Sequence, residues 1–287
     1  MPGVDLHIHS NFSDGELSPA EIAEEIKKAG ITAFSVTDHD TIKGLSEAEK
    51  AAERLGLEFV PGVEISIYSD NASFHILAYY FEQTERFCSL LEELTQKRLI
   101  RAEKMIARIN RLGYKLDIED ILKTGSRGSI GRQNIAQTMV KKGLSESTSA
   151  LFQGLLRKGG PAYIPNPTID PKTLFDEIHI AGGVAVLAHP GSTRHDEKIA
   201  GFAKAGLDGI EAYYCKHIKP QVAFYEKLAR KYNLITTGGS DFHGKGRYPS
   251  KLGQFRVDYS ILASLKERKK VIDEKRSKVA KPLIKKG

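Results

Sequence analysis

The chain reads as an α/β protein: a distorted parallel (β/α) barrel of about seven strands, interrupted by an all-helical insertion. Three observations lead there. Apolar strand segments alternate with amphipathic helical ones at both ends of the chain. Six of the nine histidines directly follow or end such strands, where α/β enzymes place their active sites. Residues 93–164 carry helical spacing with little strand character. A chain of 287 residues is long enough to bury one large core of this kind.

The first strand is expected from Val4 to His9. Ser18-Pro19-Ala20-Glu21 then supplies an N-cap, a proline at the first helical position and a capping-box glutamate, and Gly30 closes the helix. Ile31 to Thr37 is a buried-type strand that ends at Asp38-His39-Asp40. A helix follows from about Leu45 to Leu55 with Gly56 as its stop, then a strand from Leu57 to Pro61 that delivers Glu64, then a strand from Phe74 to Phe81 that carries His75. Phe87, Leu90, Leu91, Leu94, Met105, Ile106, Ile109 and Leu112 mark a long helix between Thr84 and Leu112. Shorter helical stretches are expected near 118–123, 133–142 and 147–157. From Pro171 the alternation resumes: a helix, a strand from Val184 to Ala188 ending in His189-Pro190, a helix, a strand from Gly209 to Ala212, a helix from Val222 to Tyr232 and a strand from Leu234 to Gly238. The expected organisation is therefore a discontinuous metal-binding barrel over 1–92 and 165–265, a helical substrate cap over 93–164, and a basic tail over 266–287.

Charge location narrows the partner class. The net charge is +7, and residues 266–287 hold ten Lys or Arg against three Asp or Glu, so the remainder is formally neutral. The basic character belongs to the tail, which reads as a solvated helix rather than an RNA-contacting arm. No apolar run approaches the roughly 20 residues of a membrane helix, and the N-terminus lacks a signal peptide's pattern, so a cytoplasmic protein is expected. Cys88 and Cys215 read as two reduced thiols.

His7 and His9, at i and i+2 on a strand, project to the same side, as do Asp241 and His243 if their segment is extended. Together with Asp14, Asp38, His39, Glu64, His75 and His189 they form a set that offers nitrogen and oxygen but no sulfur. Such a set suits catalytic Mn²⁺, Fe²⁺ or Zn²⁺ and disfavours a closed structural zinc site. It exceeds the need of one ion, so two or three divalent metals sharing carboxylates are expected, with Glu64 or Asp241 as the bridge. Metal clusters of this type hydrolyse phosphoesters by activating water and neutralising the charge that develops at phosphorus. No Gly-x-Ser-x-Gly nucleophile or P-loop competes.

Asp-Leu-His-Ile-His-Ser at 5–10, Ser-Asp-Gly at 13–15, Val-Thr-Asp-His-Asp at 36–40, Pro-Gly-Val-Glu-Ile at 61–65, Ala-His-Pro at 188–190 and Gly-Ser-Asp-Phe-His-Gly at 239–244 resemble, in order, the motifs of the polymerase and histidinol phosphatase (PHP) family. The resemblance spans residues 4 to about 260 and implies a distorted (β/α)₇ barrel with a trinuclear centre, Mn²⁺ first among its metals. It implies one metal on His7, His9, Glu64 and Asp241, a second on Glu64, His75 and His189, and a third on Asp14, His39 and His243, with Asp38 behind them orienting His7 or His39 or capping the next turn. Many family members carry histidine where Asp14 stands. The acidic version, with a helical insertion, resembles the subgroup of nucleoside 3′,5′-bisphosphate phosphatases and related 5′–3′ exoribonucleases.

Gly131-Arg132-Gln133-Asn134-Ile135-Ala136 resembles that subgroup's Gly-Arg-Pro-His-Ile-Ala segment, whose arginine and histidine face substrate phosphate. Arg132 is the expected phosphate ligand, and with Asp241 and Glu64 it is expected to carry catalysis; Asn134 is expected to donate a hydrogen bond to substrate without the histidine's charge. Arg98, Arg101 and Lys158 are weaker candidates, read as solvated, and Tyr163 is a candidate to pack on the base. The expected reaction is release of phosphate from the 3′ position of a nucleoside 3′,5′-bisphosphate, with 5′–3′ trimming of short RNA alongside it. The expected partner is thus a small nucleotide or short RNA, with no membrane and no obligate protein. The alternatives are another small-molecule phosphatase of the family, such as one for histidinol phosphate, and a non-catalytic partner module.

Overall fold

A computed structural model describes residues 3–69, 72–123, 128–245 and 248–280. The chain opens with β1 (Gly3–Ile8), α1 (Pro19–Lys28), β2 (Ile31–Val36), α2 (Leu45–Leu55), β3 (Glu58–Phe59), β4 (Gly62–Ser69) and β5 (Ala72–Tyr79). Four helices follow: α3 (Glu85–Arg111), α4 (Ile118–Lys123), α5 (Arg132–Lys141) and α6 (Thr148–Gln153). The remainder is α7 (Pro171–Ile180), β6 (Val184–Leu187), α8 (Pro190–Thr193), α9 (Ile199–Ala205), β7 (Gly209–Tyr214), α10 (Lys219–Tyr232), β8 (Ile235–Gly239), β9 (Val257–Asp258) and α11 (Tyr259–Ala280).

Local chemistry sets several boundaries. The Ser18 hydroxyl accepts from the Glu21 amide at 3.3 Å while the Ser18 amide donates to the Glu21 carboxylate at 2.8 Å, closing the capping box that starts α1. Gly56, at φ 63°, ends α2 in the left-handed conformation that glycine adopts without steric cost.

The strands form two sheets, ordered β3-β2-β1-β9 and β4-β5-β6-β7-β8. Two isolated parallel bridges join them, Ile8 to Phe242 at one seam and His39 to Glu64 at the other. Pairing is parallel for β1–β2, β2–β3, β6–β7 and β7–β8 but antiparallel for β4–β5, β5–β6 and β1–β9. The antiparallel pairs depart from the distorted parallel barrel expected; for one of them the reason is local, since β4 and β5 follow one another too closely for the helical crossover that parallel neighbours need. β4 itself is an extra strand: Glu64 lies inside it, not beyond the segment 57–61. Its signal is the alternation of Val63, Ile65 and Ile67 with Glu64, Ser66 and Tyr68.

Helix packing crosses two of the expected boundaries. The first half of α3 buries Phe87, Leu91 and Leu94 among strand residues such as Ile65 and Ile76. Its second half buries Ala102, Met105, Ile106 and Ile109 in a separate cluster with Ile121, Ile135, Met139 and Leu151. The 92/93 boundary therefore falls inside one continuous helix. So does 265/266, since α11 docks Ile261, Leu262, Leu265 and Ile272 against Val4, Leu6 and Val186. The basic segment is thus seated on the protein as far as Arg276, with Lys266 paired to Glu58 and Arg276 to Glu82; Lys281, Lys285 and Lys286 lie outside the described residues. No helix among the described residues is long and apolar enough to cross a membrane.

Candidate metal and phosphate site

The nine expected metal ligands converge from six strands or strand exits. β1 delivers His7 and, one residue past its end, His9; β2 leads to His39; β4 carries Glu64 and β5 carries His75; β6 leads to His189; and β8 leads to Asp241 and His243. Asp14 comes from the loop after β1. Nε2 of His7 and Nε2 of His9 face each other at 3.1 Å, and both point at Glu64 Oε2 (3.4 and 3.1 Å) and Asp241 Oδ1 (3.6 and 3.3 Å). Glu64 Oε1 meets His75 Nδ1 at 2.7 Å and His189 Nε2 at 3.0 Å. Asp14 Oδ1 lies 3.3 Å from His243 Nε2 and 4.0 Å from His39 Nε2.

Donor atoms lie within 4.8 Å of one another in four overlapping groups: His9–Asp14–His39–His243, His7–Glu64–His189, His7–His9–Asp241 and His39–Glu64–His75. The third metal set implied by the family resemblance is present with His9 added. His75 and His189 fall in different groups that share Glu64.

The electrostatics fit cations. Burial opposes ionisation of Asp14, Glu64 and Asp241, yet the surrounding imidazoles hold all three well below the usual carboxylate range. Burial, with His9 and Arg98 nearby, holds the imidazole of His39 well below its usual range despite Glu64 and Asp14. Asp14 Oδ1, Glu64 Oε2, His39 Nδ1 and His189 Nδ1 are buried without a hydrogen-bond partner among the described residues. Buried carboxylate and imidazole atoms left without a hydrogen-bond partner are what a divalent ion satisfies.

Supporting residues surround this cluster. Asp38 does not orient His7 or His39; it accepts from the Ser10 amide (2.8 Å) and the Ser13 hydroxyl (2.6 Å), so it shapes the loop that presents Asp14. Tyr214 donates to Asp241 Oδ2 at 3.0 Å, and burial beside Asp241 pushes its own phenol far up, so it stays a donor. The buried Glu211 on β7 accepts from His7 Nδ1 at 2.9 Å and from the His189 amide at 2.8 Å. Neither Tyr214 nor Glu211 was among the expected site residues. For Glu211 a local signal exists, an acid between Ile210 and Ala212 in a buried strand. The remaining histidines have local partners: His179 with Asp208, His195 with Glu197 and His217 with the Ala212 carbonyl.

A cavity of about 220 Å³ opens onto the cluster. Its lining includes Asp14, His39, Glu64, His75, His189, Asp241 and His243 of the cluster together with Arg98, Arg101, Arg132 and Gln133. Arg98 and Arg101, expected to be solvated, are each only 5% exposed. Arg98 donates to Asp40 Oδ2 and to the Ser66 hydroxyl, both at 2.9 Å, and Arg101 donates through Nε to the Ile164 carbonyl at 2.8 Å. Arg132 lies against the rings of Phe152 and Tyr163 (5.5 and 5.2 Å) and donates to the Leu156 carbonyl. Tyr163 therefore backs Arg132. Asn134 is corrected: its Oδ1 accepts from the Gly131 amide (2.7 Å) and its Nδ2 donates to the Ser13 carbonyl (2.8 Å), so its carboxamide is committed within the protein, and Gln133 reaches the cavity instead.

The model of the PHP domain matches residues 5–131. A 5′-3′ exoribonuclease of Haemophilus influenzae is 33% identical over 83% of this chain and 89% of its own length. The chain belongs to the PHP family. Within it, a 3′,5′-nucleoside bisphosphate phosphatase of Chromobacterium violaceum is 30% identical over 86% of this chain and 89% of its own length. A phosphoribosyl 1,2-cyclic phosphate 1,2-diphosphodiesterase of Eggerthella lenta is 32% identical over 85% and 96%. The crystal structure of a candidate metal-dependent phosphoesterase from Bifidobacterium adolescentis superposes with a TM-score of 0.85 at 32% identity, over 93% of this chain and 96% of that one. The chain is a metal-dependent phosphoesterase of this family.

Proposed function

We propose that the enzyme hydrolyses nucleotide phosphomonoesters, converting nucleoside 3′,5′-bisphosphates to nucleoside 5′-monophosphates and phosphate, with 5′–3′ trimming of short RNA as a second activity of the same site. One observation carries this reading: the same cavity is lined by the carboxylate and imidazole cluster and by three arginines. A substrate with two phosphates places one at each. Residues 93–164 then act as the substrate cap, since they supply Arg98, Arg101, Arg132 and Gln133. A small nucleotide accords with the expected cytoplasmic location.

His7, His9, Glu64 and Asp241 would hold one divalent ion, Glu64, His75 and His189 a second, and Asp14, His39 and His243 a third, with Mn²⁺ the proposed metal ahead of Fe²⁺ or Zn²⁺. Bound there, divalent ions supply an activated water and neutralise charge at the reacting phosphate, lowering the pKa of water from 15.7 toward about 7. The protein's own part is orientation. Tyr214 fixes one oxygen of Asp241 and leaves the other turned toward His7 and His9. The aromatic backing of Arg132 holds its guanidinium ready for the phosphate that does not react.

The test is phosphate release with Mn²⁺ from adenosine 3′,5′-bisphosphate, AMP, histidinol phosphate, a five-membered cyclic ribose phosphate and short 5′-phosphorylated RNA. The bisphosphate is expected to give the highest kcat/KM. Turnover of histidinol phosphate or of the cyclic ester far above it would overturn the substrate assignment.

A further inference from the structure

Glu211 carries chemistry that the ligand set leaves unexplained. It sits in the middle of β7 with no solvent exposure, flanked by Ile210 and Ala212, where a carboxylate is costly unless both oxygens are satisfied. Its oxygens are divided between two different strands. Oε1 takes His7 Nδ1 from β1 at 2.9 Å, and Oε2 takes the backbone N–H of His189, just past β6, at 2.8 Å. His189 holds φ at 28°, a conformation that a side chain disfavours and that this hydrogen bond helps to maintain.

We infer that Glu211 is the positioning residue of the metal centre, a single carboxylate that fixes the tautomer of His7 and the placement of His189 together. Accepting from Nδ1 puts the His7 proton on the side away from the cluster. Nε2 then presents its lone pair toward His9 Nε2, Glu64 Oε2 and Asp241 Oδ1. The same carboxylate ties the His189 backbone, so both histidines of the His7–Glu64–His189 group are held from behind.

The requirement is for two acceptors, and that separates the isosteric variant from the native residue. In Glu211→Gln one of the two positions becomes an NH₂. Facing the fixed N–H of His189 it repels. Facing His7 it forces Nδ1 to accept, which moves the ring proton to Nε2 and blocks the atom that must bind metal. Glu211→Gln should therefore behave like Glu211→Ala despite its nearly unchanged size.

The inference rests on His7 and His189 being ligands, so the experiment includes them. Mn²⁺ affinity is measured by titration calorimetry on metal-stripped wild type, Glu211→Gln, Glu211→Ala, His7→Ala and His189→Ala, each checked for folding by circular dichroism. Both Glu211 variants should bind at least one Mn²⁺ roughly 10- to 100-fold more weakly. In zinc-loaded wild type, ¹⁵N-resolved NMR should show His7 protonated at Nδ1, with a proton resonance shifted downfield by the carboxylate. Wild-type Mn²⁺ affinity in Glu211→Gln, with affinity lost in the histidine variants, overturns the role of Glu211 alone. Undiminished affinity in His7→Ala and His189→Ala overturns the ligand assignment and this inference with it. If the Glu211 variants do not fold, the wild-type spectrum decides: a His7 ring protonated at Nε2 sinks the proposal.

Discussion

Asn134 and Arg132 are neighbours on α5 with different roles. Asn134 joins the Gly131 amide to the Ser13 carbonyl, tying the cap to the loop that carries Asp14, and both bonds are buried. Asn134→Ala removes the acceptor of the buried Gly131 amide and the link to Ser13, and should cost roughly 1–3 kcal/mol of stability. A denaturant titration measures it. The KM for a bisphosphate should move little if activity is assayed where the variant stays folded. Arg132→Ala should do the reverse, with small change in stability and a roughly 10- to 100-fold loss in kcat/KM, the worth of a charge-assisted contact. Cys215 offers a separate check. Burial, opposed by Lys216 and supported by Asp241 and Glu211, pushes its thiol up to about 12, so the nucleophilic thiolate is scarce at neutral pH. Alkylation of Cys215 followed by mass spectrometry should be slow at pH 8 and still be accelerating at pH 10. At this scale the candidate metal ligands were legible because most lie in or just after a strand within a short pattern of acids and histidines, whereas the commitment of Asn134 was not: its partner Ser13 is 121 residues away.

Among elements, α11 and β4 show what periodicity reveals and what composition hides. The basic excess of the C-terminal segment drew attention to charge, yet Leu262 and Leu265 of α11 are fully buried beside Val257, and Ile272 reaches the same cluster two turns later. Ile272→Ala, within the basic segment, should destabilise by about 2–5 kcal/mol through the cavity it leaves, measured as a shift in the denaturant midpoint with an unchanged slope. A solvated tail would show no such effect. β4 was obscured by Pro61-Gly62, which reads as a turn, although the alternation that follows was in plain view. Arg98 and Arg101 on α3 were unreadable for a physical reason: a charged residue on a long helix is usually solvated, and here they are buried against partners distant in sequence, Asp40 and Ser66 for Arg98 and the Ile164 carbonyl for Arg101.

For the whole molecule, the cluster should couple folding to metal and to pH. Stripping Mn²⁺ with a chelator should lower Tm, and restoring it at about 100 times its Kd should return roughly 2.7 kcal/mol per site, seen in a thermal melt. The pH dependence of the stripped protein follows from His9. Burial alone would lower its pKa, but Asp241 and Glu64 raise it from 6.5 to about 10. A pKa raised in the folded state stabilises fully below the unfolded value and is lost as pH rises through the folded one. The metal-free protein should therefore lose stability between pH 6.5 and 10 while the Mn²⁺-loaded protein, in which metal replaces the proton, holds steady across that interval. On the acid side, the depressed carboxylates of Asp14, Glu64 and Asp241 give stability that is complete above the usual carboxylate range and falls away below it. A flat profile for the stripped protein from pH 6.5 to 10 would contradict the assignment. By itself the sequence determined the reaction class and the nine converging donors, because metal ligation needs particular residue types at strand ends and those are local features. The tertiary structure alone decided what surrounds them: Glu211 bonded to His7 and His189, and Arg98, Arg101 and Arg132 in the lining of the same cavity. Those placements depend on β7 and the cap meeting strands far away in the chain, where no spacing rule operates.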